Sequence, residues 1–450
     1  MPSDPLFASM FSTQEMGEVV SGRAWVRAML QVEAALARAK ARSGLITDVV
    51  ADEIASVCLE SEFDPVAIGR EAAAAANPVV PLVEMLRARL GHEAAAEVHR
   101  GATSQDILDT AIMLVARQAI DVLLGTIERM EANCAALAQE HRDTVMAGRT
   151  LLQQAVPITF GLKAAGWLSA TMEAKELLAT YRTDRLAVQL GGAAGTLAAL
   201  GLAGPDVVRD MASQLDLHEP LLPWHTSRAR IAELGAALGI VAGTAGKVAL
   251  DIALLSQDEV GEVREGGAGR GRSSAMPQKR NPVSAVVVMA CVRRAQALVP
   301  VLLGGMMQEH ERAAGAWQAE WETVNELFSL THAAVSHLAT ALDGLEVNAE
   351  AMRANIGVTR GLLMSESVLA LLSGHMDPQD ARRAVDAAAQ RVRTNGTHLR
   401  DELLADSEVA ARIPTDALDR ALDPAAAVGA ASSHIDRVLA AWGNRPRGAR

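Results

Sequence analysis

Apolar residues recur at alternating steps of three and four along the chain from residue 113 onward. The stripe consists of Met113, Ala116, Ile120, Leu123, Ile127, Met130, Cys134 and Leu137. These steps keep the apolar side chains on one face of an α-helix. The pattern therefore predicts one long helix that packs in a helical bundle.

Two further stretches, residues 228–255 and residues 283–304, also predict long helices. The first is rich in alanine and glycine between larger apolar residues. Small side chains let neighbouring helices approach one another closely. Because small residues occur on nearly every face, the pattern indicates burial among several helices, including helices of other subunits.

The terminal regions show shorter helical patterns than the middle of the chain. Residues 23–42 predict a helix rich in alanine and leucine. Helix breaks are expected from glycine, asparagine and proline at Asn77–Pro78, Pro81, Gly374, Asn395–Gly396 and Pro414. We therefore predict an N-terminal helical domain, a central long-helix domain and a C-terminal helical domain, at residues 1–110, 111–355 and 356–450.

Composition narrows the fold class. Of the 450 residues, 50% are hydrophobic but only 3% are aromatic, with a single tyrosine. Sheets favour aromatic and β-branched side chains. The abundance of alanine and leucine instead predicts an all-α protein.

Charge and cysteine usage exclude several classes of partner. A net charge of −12 opposes general binding to nucleic acid, which needs a broad basic face. Cys58, Cys134 and Cys291 lack the spacing of metal ligands and suit a reducing compartment. The N-terminus lacks the basic-then-apolar pattern of a signal peptide. We expect a cytoplasmic protein with no metal, no cofactor, no nucleic-acid partner and no membrane partner.

Residues 266–282 read GGAGRGRSSAMPQKRNP, and we call them the signature segment. Its glycines allow a loop that can open and close over a ligand, so Ser273 and Lys279 become candidates for chemistry. Asn281 suits a helix N-cap and Pro282 a first helical position. This order predicts a helix from Val283 whose positive end favours an anion. For an arbitrary glycine- and arginine-rich stretch, the alternative is a solvated surface loop.

The order of paired serines, Met-Pro, lysine and Asn-Pro resembles the signature loop of the fumarase/aspartase superfamily. By this resemblance the signature loop spans residues 264–282 of the central domain. Arg272 stands where the family usually has glycine, which makes the loop stiffer and more positive. It implies a three-domain helical fold in which the central helices of four subunits form one bundle. It also implies a homotetramer whose active sites each draw on three chains.

Residues 99–106 read HRGATSQD, and the spacing from Thr103 to Asp106 is typical of a helix capping box. The same stretch resembles a second superfamily block, His-x-Gly-x-Thr-Ser-x-Asp, in which the threonine and serine hold a substrate carboxylate. The resemblance makes Thr103, Ser104 and His99 candidate binding residues, beside the purely structural alternative.

Residues 148–153, GRTLLQ, resemble a third block, Gly-Arg-Thr-His-x-Gln, but Leu151 replaces the histidine that assists the leaving group. An aliphatic side chain cannot transfer a proton. A nitrogen leaving group needs one as it departs, whereas a carboxylate, with a conjugate-acid pKa of about 4, does not. The replacement therefore points to a carbon–oxygen bond made with the substrate's own carboxylate, and Leu151 becomes a pocket wall.

Within the superfamily this chemistry is that of the 3-carboxy-cis,cis-muconate cycloisomerases, which form a lactone in the protocatechuate branch of the β-ketoadipate pathway. The resemblance extends to PWHTSRARIAE, ERAAGAW and RGLLMSESV at residues 223–233, 311–317 and 360–368. It implies a small tricarboxylate substrate and an enediolate intermediate. Ser273 would protonate carbon, while Lys279, Asn281 and the helix start bind the conjugated carboxylate.

The remaining candidates bind the other carboxylates of the substrate. Arg312 corresponds to an arginine that the cycloisomerases use, and a guanidinium suits bidentate pairing. Thr103, Ser104, Arg149, Gln153 and Arg228 are further candidates, and each can equally belong to a structural contact or ion pair. His99 and His225 are either ligand contacts or structural histidines.

Two other functions stay open at this level. An adenylosuccinate-type lyase that releases fumarate has to explain Leu151, and also the AANPVV at residues 75–80, where such lyases tend to place a His-Asp pair. An inactive helical scaffold is opposed by the intact Ser273, Lys279 and Asn281, since a scaffold has no use for such a loop.

Overall fold

Helices dominate the protein, which confirms the all-α prediction. The computed structural model describes residues 5–266, 271–272, 275–276 and 278–445, of which about 70% lie in helices and 5% in short strands. The described helices are α1 Pro5–Phe11, α2 Gln14–Val19, α3 Gly22–Arg42, α4 Asp48–Glu60, α5 Pro65–Ala75, α6 Val79–Arg87, α7 His92–Glu97, α8 Ser104–Glu140, α9 Phe160–Asp184, α10 Gly204–Leu215, α11 Ala229–Leu255, α12 Val283–Gly304, α13 Ala316–Asp343, α14 Ala349–Gly357, α15 Ser365–Ser373, α16 Pro378–Asn395, α17 Leu399–Leu404, α18 Ser407–Arg412, α19 Thr415–Ala421 and α20 Ala431–Gly443. The strands are β1 Val145–Thr150, β2 Gln153–Thr159, β3 Val263–Glu265 and β4 Leu345–Val347.

The long helices lie where the hydrophobic patterns predict them. The stripe from Met113 falls on α8, which is 37 residues long, and α11 and α12 match the other two stretches. The predicted breaks at Asn77–Pro78, Gly374, Asn395–Gly396 and Pro414 are confirmed by helix ends at these positions. The break at Pro81 is wrong. Pro81 lies in the first turn of α6, where a backbone N–H has no helical partner and a proline is tolerated.

Contacts divide the chain into two compact units. The first contains Met1–Glu128, Glu173–Gly246 and Val287–His337, and the second contains Arg129–Met172, Lys247–Val286 and Leu338–Arg450. The division into three domains at residues 110 and 355 stays a prediction.

In the first unit, the glycines of α11 allow close contact with α12. A Cβ atom added at Gly235 would lie 2.7 Å from Leu302, and one at Gly239 would lie 2.8 Å from Val299. Both distances are too short for a real contact, so larger side chains at these positions would push the helices apart. The small residues that the sequence shows in this stretch therefore serve helix–helix packing.

In the second unit, β1 and β2 form an antiparallel hairpin closed by two residues, Leu151 and Leu152. Both have positive φ angles, of 50° and 64°, which bulky residues adopt only under strain. The side chain of Leu151 is 96% exposed. β3 pairs with β4, so that Glu265 stands opposite Leu345 and leads directly into the signature segment.

Among the described residues, two helices, α11 and α12, are long and apolar enough to cross a membrane by length and composition alone. The number rises to three if the bent pair Ala349–Gly357 and Leu362–Ser373 counts as one span. In α11, 44% of the apolar window is buried, and in α12, 28%. Both helices therefore keep apolar surface that the described part of the chain does not cover.

The first unit also buries a histidine, His332 of α13, which is 2% exposed. Its ring nitrogens lie 2.8 Å from the Thr13 hydroxyl and 2.9 Å from the Thr126 hydroxyl. Burial lowers the pKa of His332 to about 4. The ring is therefore neutral at pH 7, and a neutral imidazole can donate to one hydroxyl and accept from the other.

The depressed pKa of His332 makes the folded state sensitive to acid. The unfolded chain binds this proton near pH 6.5 and the folded chain only near pH 4, so stability is present above pH 6.5 and is lost as the pH falls toward 4. We expect His332→Gln to remove roughly 3 kcal/mol of the decline in unfolding free energy over this range. Urea denaturation at several pH values measures it. The exposed His434→Gln is the control, and an equal effect of both variants would contradict the assignment.

Candidate active site

The N-terminus of α8 is organised by one fully buried carboxylate, Asp106. Its oxygens accept hydrogen bonds from the backbone N–H groups of Thr103 at 2.9 Å, Gly191 at 3.0 Å and Gly192 at 2.9 Å. A fourth contact, of 2.6 Å, joins it to Nε2 of His225. The contact with Thr103 forms one half of the predicted capping box, while the N–H of Asp106 donates to the backbone carbonyl of Thr103 and not to its hydroxyl. The same carboxylate also fixes the loop at residues 191–192 beside the helix start.

Arg312 lies beside this helix start. Its guanidinium donates to the side-chain oxygen of Gln105 at 2.9 Å and to the backbone carbonyls of Gly192 and Ala193 at 3.2 Å and 2.7 Å. A guanidinium carries five N–H donors, so these three bonds to neutral acceptors leave two donors. The positive charge of Arg312 thus has no carboxylate partner among the described residues, which suits an anionic ligand.

Thr103 and Ser104 stand next to Gln105 at the same helix start and are half-buried. Within the described ranges, neither hydroxyl has a hydrogen-bond partner. Unpaired hydroxyl groups, a helix N-terminus and an unneutralised guanidinium each favour a carboxylate. Arg312 thus contacts Gln105, the residue that directly follows Thr103 and Ser104. We call Thr103, Ser104 and Arg312 the candidate carboxylate receptor, and its binding of substrate stays a prediction.

Arg228 is placed differently. Its fully buried guanidinium donates to Asp109 at 2.7 Å and 3.1 Å and to Glu320 at 3.0 Å and 2.5 Å. Burial opposes its charge, but these two carboxylates raise the pKa of Arg228 above its ordinary value. Because four of its five donors bind carboxylates and the side chain has no access to solvent, the geometry favours the structural ion pair over a contact with substrate.

The two histidines of this unit also have internal partners. Nδ1 of His99 lies 2.6 Å from the carboxylate of Glu33. Burial lowers the pKa of His99, but Glu33 outweighs this effect and raises the pKa above its ordinary value. His225 is 4% exposed and bonded to Asp106. Both contacts favour structural roles, in which each histidine orients a neighbouring carboxylate.

In the second unit, Arg149 forms a bidentate pair with Glu262, at 2.9 Å and 2.7 Å. Glu262 is fully buried and also accepts from the amide of Asn355 at 2.8 Å. This pair holds the hairpin against the chain segment that leads into β3. Arg149 therefore forms a structural ion pair. Its contact with substrate, through the exposed edge of the guanidinium, stays a prediction.

The hairpin tip carries the next two predicted residues. Leu151 projects into solvent, and Gln153 at the start of β2 is exposed. Among the described residues, the side-chain amide of Gln153 donates to the carbonyl of Leu152 alone, at 3.4 Å. Neither residue of the two-residue turn is titratable, so the tip offers an apolar contact and one amide to whatever covers it.

The signature segment is described only in part, and Ser273 lies outside the described residues. Lys279 is exposed. The prediction that Asn281 is the N-cap residue of α12 is wrong, because the helix begins at Val283, directly after Pro282. The side-chain amide of Asn281 donates to the carbonyl of Gly271 at 3.1 Å. Pro282 takes the capping position, with Val286 N–H bonded to its carbonyl at 3.0 Å, and its ring offers no acceptor to the helix start.

The acceptor that α12 needs comes instead from Glu265. Its carboxylate accepts from the backbone N–H groups of Ser284 at 3.0 Å and Ala285 at 2.8 Å. The sequence predicts that this helix start binds a substrate carboxylate. In the structure a carboxylate of the protein itself occupies it. The predicted contact between Lys279 and a substrate anion stays a prediction.

Sequence reasoning missed four residues that shape these sites: Gln105, Asp106 in its wider role, Glu262 and Glu265. Gln105 and Asp106 lie inside the block HRGATSQD, so the resemblance of this block to the superfamily could have identified them. The partners of Glu262 and Glu265 are 113 and about 20 residues away, and no local pattern marks such contacts.

Replacing Arg228, which pairs with carboxylates, and Arg312, which binds neutral acceptors, should lower the unfolding free energy by different amounts. Arg228→Met leaves Asp109 and Glu320 as buried unpaired charges, so we expect a loss of about 3–5 kcal/mol in unfolding free energy. Arg312→Met breaks only bonds to neutral acceptors at a half-buried position and should cost about 1 kcal/mol. Urea denaturation of both variants compares them, and equal losses would contradict the structural role of Arg228.

Comparison with known proteins places these features in a family. A family model for lyases matches residues 9–296, and a model for the adenylosuccinate lyase C-terminus matches residues 361–438. The chain is 42% identical to a 3-carboxy-cis,cis-muconate cycloisomerase of Bradyrhizobium diazoefficiens, over 97% of each chain. It is also 42% identical to a nitrosuccinate lyase of Streptomyces davaonensis, over 93% of this chain and 91% of the other.

A solved structure agrees with the sequence comparison. The 3-carboxy-cis,cis-muconate lactonizing enzyme of Pseudomonas putida is 38% identical, covers 97% of this chain and 98% of its own, and superposes with a TM-score of 0.91. The matched lyase model spans the block HRGATSQD, the hairpin and the signature segment. The chain belongs to the lyase family of the fumarase/aspartase superfamily.

Proposed function

We propose that this protein interconverts 3-carboxy-cis,cis-muconate and 4-carboxymuconolactone, a step in the protocatechuate branch of the β-ketoadipate pathway. The observation that carries the proposal is Leu151, an aliphatic residue at the exposed hairpin tip where adenylosuccinate and argininosuccinate lyases place histidine. A carboxylate that adds to, or leaves, carbon requires no proton from such a residue. Full-length relationship to enzymes of this name supports the choice.

The reaction proceeds by addition of one substrate carboxylate across a conjugated double bond. A carbon–oxygen bond forms, and the π electrons move onto the conjugated carboxylate to give an enediolate. The Ser273 hydroxyl then donates its proton to carbon, and the serine regains a proton from water. The substrate gains one proton overall, because one carboxylate becomes an ester while one hydrogen is added at carbon.

Charge on the substrate is met by cationic side chains and by hydroxyl groups at the start of α8, and not by the start of α12. Arg312, Thr103 and Ser104 bind one carboxylate in the receptor described above. Lys279 meets the negative charge that develops on the enediolate, where a fixed positive charge lowers the barrier. Arg149 and Gln153 lie at or near the hairpin tip. Their remaining N–H donors bind a further carboxylate of the substrate.

A homotetramer in the cytoplasm completes the proposal, and each active site would draw its segments from three chains. Its support is the apolar surface of two central helices, which other copies of the chain would cover. The exposed large side chains of α11 and α12 are Ile240, Leu250, Leu254, Val283, Val286, Val301 and Leu303. This assembly would also bring the strained Leu151–Leu152 tip into contact with a neighbouring copy.

A nitrosuccinate lyase is the second candidate. Nitrite is a weak base, so its departure also needs no imidazole, and Leu151 fits this chemistry as well. A relative of that name matches the chain as closely as the cycloisomerases do. The two reactions share the serine step in reverse directions and differ in the products that an assay detects.

Purified protein should convert carboxymuconate to lactone, with loss of the diene absorbance. Ser273→Ala should lower kcat by at least about 10²-fold while the far-ultraviolet circular dichroism stays unchanged, because only the proton donor is removed. Ser274→Ala is the matched control and should retain more activity. Release of fumarate from adenylosuccinate or of nitrite from nitrosuccinate, without turnover of carboxymuconate, would overturn the proposal.

Arg312→Lys tests the carboxylate receptor. A lysine keeps the charge but cannot reproduce the planar, paired donors, so we expect KM for carboxymuconate to rise about tenfold to hundredfold with a smaller change in kcat. Arg23→Lys, an exposed arginine of the same unit, is the control. An unchanged KM in steady-state kinetics would show that Arg312 does not bind the substrate.

A further inference from the structure

We propose that Glu265 is a positioning residue for the signature segment. Its buried carboxylate stands directly before the segment and caps the helix that directly follows it, so one side chain joins the segment's two ends. The kinetic part of this inference rests on the proposed function, since it concerns the chemistry of Ser273 and Lys279. The structural part stands on the contacts alone.

The carboxylate of Glu265 supplies hydrogen-bond acceptors that the start of α12 would otherwise lack. The second and third helical residues of α12, Ser284 and Ala285, have backbone N–H groups that no helical carbonyl can reach. Pro282 cannot supply an acceptor from its side chain. Glu265 supplies both, through Oε2 to Ser284 at 3.0 Å and Oε1 to Ala285 at 2.8 Å, and it is only 9% exposed.

The strand that carries Glu265 is itself fixed. β3 pairs with β4, and the ladder continues through Gly266 N–H to the carbonyl of Gly344 at 2.8 Å. A Cβ atom at Gly266 would lie 2.2 Å from that carbonyl oxygen, so only glycine allows this approach. The strand pairing thus fixes the N-terminal end of the segment. The contacts of Glu265 with Ser284 and Ala285 connect this end to the helix that follows the C-terminal end.

A second contact lies within the segment and depends on the first. Asn281 binds the carbonyl of Gly271 through its backbone N–H at 2.8 Å and its amide at 3.1 Å. Gly271 has a φ of +66°, and a Cβ atom there would lie 2.2 Å from the Asn281 oxygen. Because Asn281 immediately precedes the helix that Glu265 caps, loosening the cap would also loosen this contact and the nearby Lys279.

The contact between Glu265 and α12 also determines which group neutralises the positive end of this helix. A carboxylate at the N-terminus of α12 satisfies the positive end of the helix dipole, so a substrate carboxylate would have to displace Glu265 to bind there. The geometry therefore assigns α12 the task of holding the segment in place. Binding of the substrate falls to side chains such as Lys279 and Arg312.

Replacing Glu265 by alanine should reduce kcat about tenfold to hundredfold, because misplaced catalytic groups lose rate at this scale, with little change in KM. Hydrogen exchange at the amides of Ser284 and Ala285 should accelerate in the same variant. Asp406→Ala is the matched control. Asp406 caps α18 through N–H groups of Glu408 and Val409 at 3.0 Å and 3.3 Å, away from the segment in sequence, and its loss should leave kcat unchanged.

A small carboxylate should rescue the alanine variant. A cavity of about 80 Å³ borders Glu265, Asn281 and Pro282, so formate added at constant ionic strength can occupy the vacated position and raise kcat severalfold. Formate should not rescue Glu265→Gln, whose amide still fills the space. Chloride at the same ionic strength is the control for a general salt effect.

Three results would overturn the inference. They are a kcat of Glu265→Ala no lower than that of Asp406→Ala, an unchanged exchange rate at Ser284 and Ala285, and a decrease in KM, which would show that substrate binds the helix end instead. The exchange measurement needs no substrate. If the wild-type protein fails to turn over carboxymuconate, the proposed function fails while the exchange result still decides whether Glu265 holds the segment.

Discussion

Buried carboxylates that satisfy helix N-termini are the interaction on which both candidate sites depend. Asp106 serves α8 and the neighbouring glycine loop, and Glu265 serves α12. Unpaired N–H groups at a helix start attract any anion, so an internal carboxylate decides whether that attraction orders the protein or binds a ligand. At α12 it orders the protein. At α8 Asp106 takes the N–H of Thr103, while the hydroxyls of Thr103 and Ser104 stay open to a ligand.

The same distinction separates the arginines. Arg228 and Arg149 face carboxylates in bidentate geometry, which neutralises their charge inside the protein. Arg312 faces an amide oxygen and two carbonyls, so its charge is oriented but not neutralised. A substrate with three carboxylates needs cations of the second kind, and a fold with buried carboxylates needs cations of the first. Both kinds have the same appearance in the sequence.

Patterns with a short range in sequence predicted most of the fold and part of the site. The 3- and 4-residue steps predicted α8, the small residues of the stretch at 228–255 predicted α11, and the Asn281–Pro282 pair predicted the start of α12. The contact of Asp106 with the N–H of Thr103 followed from spacing. Contacts between distant residues could not be predicted, because nothing local marks Glu320 as the partner of Arg228 or Glu265 as the cap of α12. The latter contact also explains why the expected N-cap role of Asn281 was wrong.

In the proposed reaction a substrate carboxylate adds to carbon, and an exchangeable proton, delivered by the Ser273 hydroxyl, completes the addition. Running the reaction with carboxymuconate in D₂O and recording the proton spectrum of the product tests this addition most directly. We expect a lactone with one deuterium on the carbon next to the formerly conjugated carboxylate. A product without deuterium at that carbon, or elimination products in place of a lactone, would contradict it.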